Sequence, residues 1–255
     1  MRITLLPSQV SSRGVERGQF LTSYLIDDTV AIDAGALGLL GDLEAQARVR
    51  RVFLSHSHAD HIASLPVFLD NILSAGTAVT LHAGEATLDC LRRDVFNDRL
   101  WPDFLRLSAE GRPFVTTAVL EPGKPVEVEG LRITPVEVNH VVPTLAFLVE
   151  AVGAAVVFSS DTGPTEALWR LANAAEHLKA VFLEASFPDE YEEVAKAARH
   201  LTPSLFAAEA RKLTRPATFI AVHLKPIFQE RIARELFALG LADLKIGLPG
   251  ESYRF

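Results

Sequence analysis

The sequence predicts an α/β sandwich: two mixed β-sheets flanked by helices. Three observations carry this. Short strand-like segments open each half of the chain, and helical and strand segments alternate after Asp161. No linker, charge run or low-complexity stretch interrupts the 255 residues, so a single domain over 1–255 is expected.

Residues 23–32 read as two short strands around the Asp27-Asp28 turn. Residues 36–47 have a helical pattern, with Leu37, Leu40 and Leu43 apolar, and 49–54 form a buried strand. Ser64 is the expected N-cap of a helix over 65–73, with Pro66 tolerated in its first turn. A strand follows at 77–82. The segment 84–113 is different: it is helical in pattern, carries Phe96, Trp101 and Phe104, and shows no clear strand. It is predicted to be a helical insertion or lid. Strands return at 114–120, 126–128, 131–138, 145–151 and 155–158. Then come a helix at 165–176, a strand at 181–183, and a helix at 203–212 that starts with Pro203 after the cap Thr202. A strand at 218–222, a helix at 230–239 and a strand at 245–248 complete the chain.

A chain of this length, 49% hydrophobic, can bury a sizeable core without crosslinks. Cys90 is the single cysteine, so no internal disulfide forms, which suits a reducing compartment. The stretch before Pro7 is too short and too little apolar for a signal peptide. No run approaches the ~20 apolar residues of a membrane span. A cytoplasmic protein with no membrane partner is expected. The net charge of −7 argues against a broad nucleic-acid surface and a stable nucleic-acid partner.

Chemistry concentrates where an apolar strand ends at Ser55. His56, His58, Asp60 and His61 follow within six residues, and then a helix begins. Alternate residues of an extended loop point the same way, so His56 and His58 can grip one ion. Asp60 and His61 lie past the bend and can face a second. Zinc takes such nitrogen and oxygen ligands at ~2.0–2.2 Å; manganese or iron suits the same donors. A histidine-rich surface loop would be the alternative, but three of only eight histidines in six positions is a specific pattern.

This H-x-H-x-D-H segment resembles the signature of the metallo-β-lactamase superfamily, and the resemblance extends over nearly the whole chain. Ala31-Ile32-Asp33-Ala34-Gly35 resembles its strand-end Asp motif, Asn139-His140 its third motif, Ser160-Asp161-Thr162-Gly163 its fourth and Val222-His223 its last. The resemblance implies an αββα sandwich and two divalent metal ions, zinc first among them. His56, His58 and His140 would bind one, Asp60, His61 and His223 the other, and Asp161 would bridge them. Asp33 is expected to order backbone or ligands without binding metal. Taken singly, His140 could be a surface polar residue and Asp161 a turn or cap residue. His82 and His177 match no motif and are read as structural.

The continuation Ile62-Ala63-Ser64-Leu65 resembles the class II cyclic-nucleotide phosphodiesterases, with departures at Ala59 and Pro66. So do Phe96 to Phe104, Phe182 to Pro188, His200-Leu201-Thr202-Pro203 and His223-Leu224-Lys225-Pro226. This implies hydrolysis of 3′,5′-cyclic AMP or cyclic GMP to the 5′-nucleotide by a hydroxide shared between the metals. The catalytic candidates are Asp60, His200 and Glu184. His200, before a helix start, is the candidate for phosphate contact and proton donation, with Glu184 to orient it. Phe96, Trp101 and Phe104 are the candidate wall for the nucleobase, the alternative being a packed cap. The expected partner is a small cyclic nucleotide, and at most a second copy of the chain.

Three other readings stay open. An RNase Z-like tRNA endonuclease shares the motif order, but the chain shows no Gly- and basic-rich arm. A carboxylic-ester or thioester hydrolase, such as a lactonase or glyoxalase II, needs no phosphate-binding His200. A zinc-bound sensor or scaffold would not require so complete a ligand set.

Overall fold

The computed structural model describes residues 1–255 apart from 9, 13, 14, 19 and 112. In chain order its first half contains β1 (Arg2–Leu5), β2 (Val10–Ser12), β3 (Val15–Gly18), β4 (Tyr24–Ile26), β5 (Val30–Ile32), α1 (Leu43–Arg48), β6 (Arg51–Leu54), α2 (Ala59–Ile62), α3 (Leu65–Ser74), β7 (Val79–Ala83), α4 (Glu85–Cys90), α5 (Phe104–Glu110) and β8 (Val115–Val119). The second half contains β9 (Val126–Val128), β10 (Leu131–Val138), β11 (Thr144–Ala151), β12 (Ala154–Phe158), α6 (Ala167–Ala174), β13 (Leu178–Glu184), α7 (Glu192–Ala198), α8 (Pro203–Ala210), β14 (Thr218–Val222), α9 (Gln229–Ala238), β15 (Leu244–Ile246) and β16 (Ser252–Arg254).

Two seven-stranded sheets result, in the orders β16-β1-β4-β5-β6-β7-β8 and β15-β14-β13-β12-β11-β10-β9. Both are mixed. β5, β6, β7 and β8 run parallel, as do β12, β13, β14 and β15, and each sheet has antiparallel strands on one side. Three apolar layers hold the sandwich together. Ile3, Phe53, Phe147, Phe158, Phe182 and Ile220 lie between the sheets. Val52, Leu54, Phe68 and Leu81 pack the first sheet against its helices, and Val157, Trp169, Leu183 and Phe206 pack the second against its own. This is the αββα arrangement that the sequence predicts.

Several local expectations need correction. The helix expected over 36–47 begins only at Leu43, because Asp42 accepts a hydrogen bond from Glu44 N at 2.9 Å and sets a new start; Leu37–Leu39 form one 3₁₀ turn. Ser64 stands at the start of α3 but makes no cap bond. Its hydroxyl donates to Ala34 O and accepts from Gly38 N, both at 2.8 Å, tying α3 to the loop after β5. Thr202 does cap α8, accepting from Leu205 N at 3.4 Å.

The 84–113 segment, of which residue 112 lies outside the described residues, is helical as expected, with a π-helical turn at Leu91–Val95. It belongs to the helical layer on the first sheet. Leu88, Leu91, Val95, Phe96 and Phe104 sit in one apolar cluster with Phe68, Leu69 and Leu81. Phe96 and Phe104 are 0% and 4% exposed, so neither offers a ring face to a ligand, and Trp101 packs half-buried on the same cluster. Phe96 and Phe104 are thus packed in the cap, while Trp101 is only partly covered by it; an amphipathic segment gains more by covering the sheet than by facing water.

Candidate metal centre

The sheet topology brings the chemistry together. β5 and β6 are parallel; β10 runs parallel to β12 across the antiparallel β11; β12, β13 and β14 are parallel. Residues just past the C-terminal ends of β5, β6, β10, β12 and β14 are Asp33, His56, His140, Asp161 and His223. Their sequence separations are large, yet they share one edge of the sandwich. Asp33, Ser160 and His223 have φ of 59°, 53° and 58°. Non-glycine residues seldom adopt this region, and such turns cluster where a side chain must be aimed.

Among the described residues, two groups of donors share Asp161: one is His56, His58, His140 and Asp161, the other Asp60, His61, His223 and Asp161; a third cluster, Glu184, His200 and His223, adjoins the second through His223. Asp161 divides its oxygens between the first two. Oδ2 lies 3.7 Å from His56 Nε2 and 4.0 Å from His140 Nε2, whereas Oδ1 lies 3.3 Å from His61 Nε2 and 3.5 Å from His223 Nε2. His140 Nε2 and His58 Nδ1 are 3.2 Å apart, and His223 Nε2 and Asp60 Oδ2 are 3.1 Å apart. The edge of a tetrahedron with bonds of ~2.0–2.1 Å is about 3.3–3.4 Å, so these spacings suit donors arranged around a zinc-sized ion. A further observation supports the fit: His56 Nε2, His61 Nε2 and Asp161 Oδ1 are buried polar atoms with no hydrogen-bond partner. Buried groups in this condition are costly unless something polar or charged meets them. His58 and Asp60 are half-buried while the other donors are buried, so the centre opens to solvent beside those two.

A hydroxyl-carboxylate pair stands behind each group. Ser55 Oγ lies 2.8 Å from Asp33 Oδ2 and 2.9 Å from His56 Nδ1, and Asp33 Oδ2 is 2.7 Å from His61 Nδ1. Ser186 Oγ lies 2.8 Å from Glu184 Oε2 and 2.9 Å from His223 Nδ1. A serine that donates to the carboxylate accepts from the imidazole Nδ1–H. That hydrogen bond fixes the tautomer and leaves the Nε2 lone pair facing inward. His140 is fixed similarly, donating Nδ1–H to Arg199 O at 3.1 Å.

The contacts of Asp33 with Ser55 and His61 suit the ordering role expected of it. Glu184 does more than expected. Besides His200 Nδ1 at 2.7 Å, its carboxylate accepts from the backbone of Thr162, Ser186 and Leu201. His200 lies between the two groups, its ring centre 5.0 Å from that of His140 and 5.6 Å from that of His223.

The local fields follow the donor pattern. Burial holds the His56 imidazole well below its ordinary range, and the neighbouring His61 adds to this. Burial opposes protonation of His61 too, but the Asp161 and Asp33 carboxylates outweigh it and raise the ring well above the ordinary range. Asp161 and Asp60 are held low: burial alone would raise them, and the surrounding histidines prevail. His200 is raised, since the Glu184 carboxylate outweighs its burial.

All seven expected ligands therefore converge, and Glu184 meets His200. Phe96, Trp101 and Phe104 do not join them. The sequence reading missed Ser55, Ser186 and Arg199. The two serines each stand next to or near a carboxylate motif, but serine in such places is common, and only the fold shows the contacts.

The chain matches the beta-lactamase superfamily domain over residues 30–224. It is 26% identical to a probable 3′,5′-cyclic-nucleotide phosphodiesterase of Yersinia pestis, across 92% of this chain and 72% of that protein. It is 28% identical to a ribonuclease Z of Mycobacterium bovis, across 60% of this chain and 55% of that one. The crystal structure of the metallo-beta-lactamase fold protein YhfI from Bacillus subtilis superposes with a TM-score of 0.77 at 16% identity, covering 99% of both chains. With the sandwich, the paired donor groups and the domain match in agreement, the chain belongs to the β-lactamase superfamily, as a hydrolase of the metallo-β-lactamase fold.

Proposed function

We propose that this hydrolase is a dinuclear phosphodiesterase that converts 3′,5′-cyclic nucleotides, cyclic AMP or cyclic GMP, to 5′-nucleotides. The observation that carries the reading is the buried Glu184–His200 pair, 2.7 Å apart, set between the two donor groups. Its place beside the metal donors suits a departing oxygen that needs a proton. A ribose alkoxide is such a leaving group; a thiolate is not. The similarity to the Yersinia pestis protein supports cyclic nucleotides in particular.

His56, His58 and His140 would hold one ion and Asp60, His61 and His223 the other, with Asp161 serving both. When bound, two divalent ions, zinc first for this donor set, lower the pKa of water and offset phosphoryl charge. The chain's own part is orientation and proton transfer. Glu184 engages His200 Nδ1, which leaves Nε2 to carry the proton. Water adds to phosphorus, the bond to the 3′-oxygen breaks, and the Nε2 proton passes to that oxygen. The products are a 3′-hydroxyl and a 5′-phosphate. The Glu184 carboxylate favours the imidazolium before transfer, and the proton that the water gives up on adding to phosphorus restores it afterwards.

The test is turnover of cyclic AMP with the product identified, alongside bis(p-nitrophenyl) phosphate, pre-tRNA, a lactone and a thioester. Formation of 5′-AMP is expected. His200→Ala should lower kcat on cyclic AMP by roughly 10²–10⁴-fold. It should affect p-nitrophenyl phosphodiester turnover far less, because p-nitrophenolate leaves without a proton. Efficient hydrolysis of pre-tRNA, lactone or thioester with none of cyclic AMP would overturn the reading.

A further inference from the structure

Two cations stand in the neighbourhood of His200, Arg199 beside the His140 backbone and Lys225 over Phe187, and the chemistry described above uses neither. Arg199 ends α7 in the left-handed region, with φ of 53°. Its guanidinium donates to His140 O at 2.5 Å, and the rest of that exposed group is free to meet a ligand. Lys225 lies two residues past His223 and is half-buried. Its Nζ sits 5.1 Å from the centre of the Phe187 ring, whose centre is 5.8 Å from that of His200. Lys225 and His200 therefore share the Phe187 ring as a neighbour.

Neither cation has a carboxylate partner among the described residues. Other cations among the described residues lack one too; what sets these two apart is their place, one next to His200 in the chain and one over the Phe187 ring beside it. The Lys225 side chain is half-buried, while its ammonium is held over an aromatic face and stays open to an arriving anion. Phe187 restrains that group without neutralising it. A ligand anion arriving at His200 would supply what the chain does not.

We propose that Arg199 and Lys225 form an anion-binding rim in the neighbourhood of His200, which takes phosphoryl oxygens and selects phosphate-bearing substrates over neutral esters. The choice of phosphate rests on the phosphodiesterase reading; the rim itself rests on the two unpaired cations. Arg199 offers a planar donor fork and Lys225 a point charge, and both suit an anion whose charge grows as the phosphorus gains a fifth oxygen.

The test is calorimetric binding of inorganic phosphate, 5′-AMP and neutral adenosine to metal-loaded protein, repeated on metal-free protein. Lys225→Gln should weaken phosphate and 5′-AMP about 10- to 100-fold, the range of a lost charge-assisted hydrogen bond, and leave adenosine unchanged. Lys225→Arg should restore most of the loss. Arg199→Gly suits the left-handed backbone and should act in the same direction; metal content is measured beside it. If that variant loses metal, it reports on His140, and Lys225→Gln decides. Unchanged phosphate binding in Lys225→Gln, or equal losses for phosphate and adenosine, overturns the rim. If no phosphodiester is hydrolysed but Lys225→Gln still loses phosphate, the phosphodiesterase reading fails and the rim stands. If cyclic AMP is hydrolysed while both variants bind phosphate normally, the rim fails and the reading stands.

Discussion

Ser55 and Ser186 do the same work in the two halves of the molecule. Each hydroxyl links a buried carboxylate to the Nδ1 side of a metal-facing imidazole. Without the hydroxyl, His223 keeps its place in the chain but loses the bond that orients its ring. Ser186→Ala should therefore weaken metal binding by about 10- to 100-fold, the usual cost of removing a partner behind a metal ligand. Ser186→Thr retains the hydroxyl and should bind metal almost as the parent does. Competition with a chromophoric chelator measures both; equal affinities for the alanine variant and the parent would remove this role from Ser186. Asp161 is the residue whose loss should be felt most, since its two oxygens face different donor groups. Asp161→Ala is expected to abolish turnover and to lower metal content at both groups. A variant that kept two ions per chain would show that the aspartate does not bridge.

At the scale of an element, the loop after β5 controls where Asp60 stands. A Cβ on Gly35 would lie 1.9 Å from Asp60 O and 2.8 Å from Thr22 N, both backbone atoms that cannot turn aside. The two strands of chain touch there, and Thr22 N donates to Asp60 O at 2.8 Å. Gly35→Ala should push the H-x-H-x-D-H loop outward. It is expected to destabilise the fold by about 1–3 kcal/mol, as overpacking does, and to lower metal content with it. Thermal denaturation and elemental analysis together check this; a stable variant with full metal would mean that the loop yields easily. The cap over 84–110 makes the opposite kind of prediction, a loss without local chemistry. Phe104→Ala should cost about 3–5 kcal/mol, typical for a large ring removed from a core. It should change turnover of cyclic AMP and bis(p-nitrophenyl) phosphate alike. A selective rise in KM for the cyclic nucleotide would return this segment to the binding site.

For the whole molecule, pH acts through His82, a buried imidazole outside the metal centre. It stacks on Phe53 with ring centres 4.4 Å apart, and neither ring nitrogen has a hydrogen-bond partner. Burial, helped by the Arg51 charge, pulls its pKa from 6.5 down to about 4. In the unfolded chain the imidazole titrates near 6.5. Between those values the unfolded state binds the extra proton, so His82 favours unfolding increasingly as the pH falls from 6.5 toward 4, and has no such effect above 6.5. His82→Phe retains the stack and removes the titration. Its Tm relative to the parent should rise as the pH is lowered from 7 to 5. A difference independent of pH would show that His82 is not held neutral.

The linear sequence determined the local chemistry. The apolar strand ending at Ser55, followed by three histidines and an aspartate, placed a metal site before any fold was known, because period-2 patterning and ligand identity are properties of neighbouring residues. The αββα class was legible for the same reason, from strand and helix periodicities along the chain. β1 and the edge strand β16 escaped notice: both are short, and β16 finds its place by pairing with the start of the chain, Arg254 opposite Arg2. The seven-ligand set was assembled by family resemblance, and its geometry had to wait for the parallel strands that bring His140, Asp161 and His223 to one edge. Whether Phe96 and Phe104 faced a ligand or the core was likewise undetermined, since an aromatic side chain suits both and only burial separates them. The contacts of Ser186, Arg199 and Lys225 were decided by tertiary structure alone. Each acts across a large sequence separation, on a neighbour that no local pattern could name, and such pairings exist only once the sheets have closed on one another.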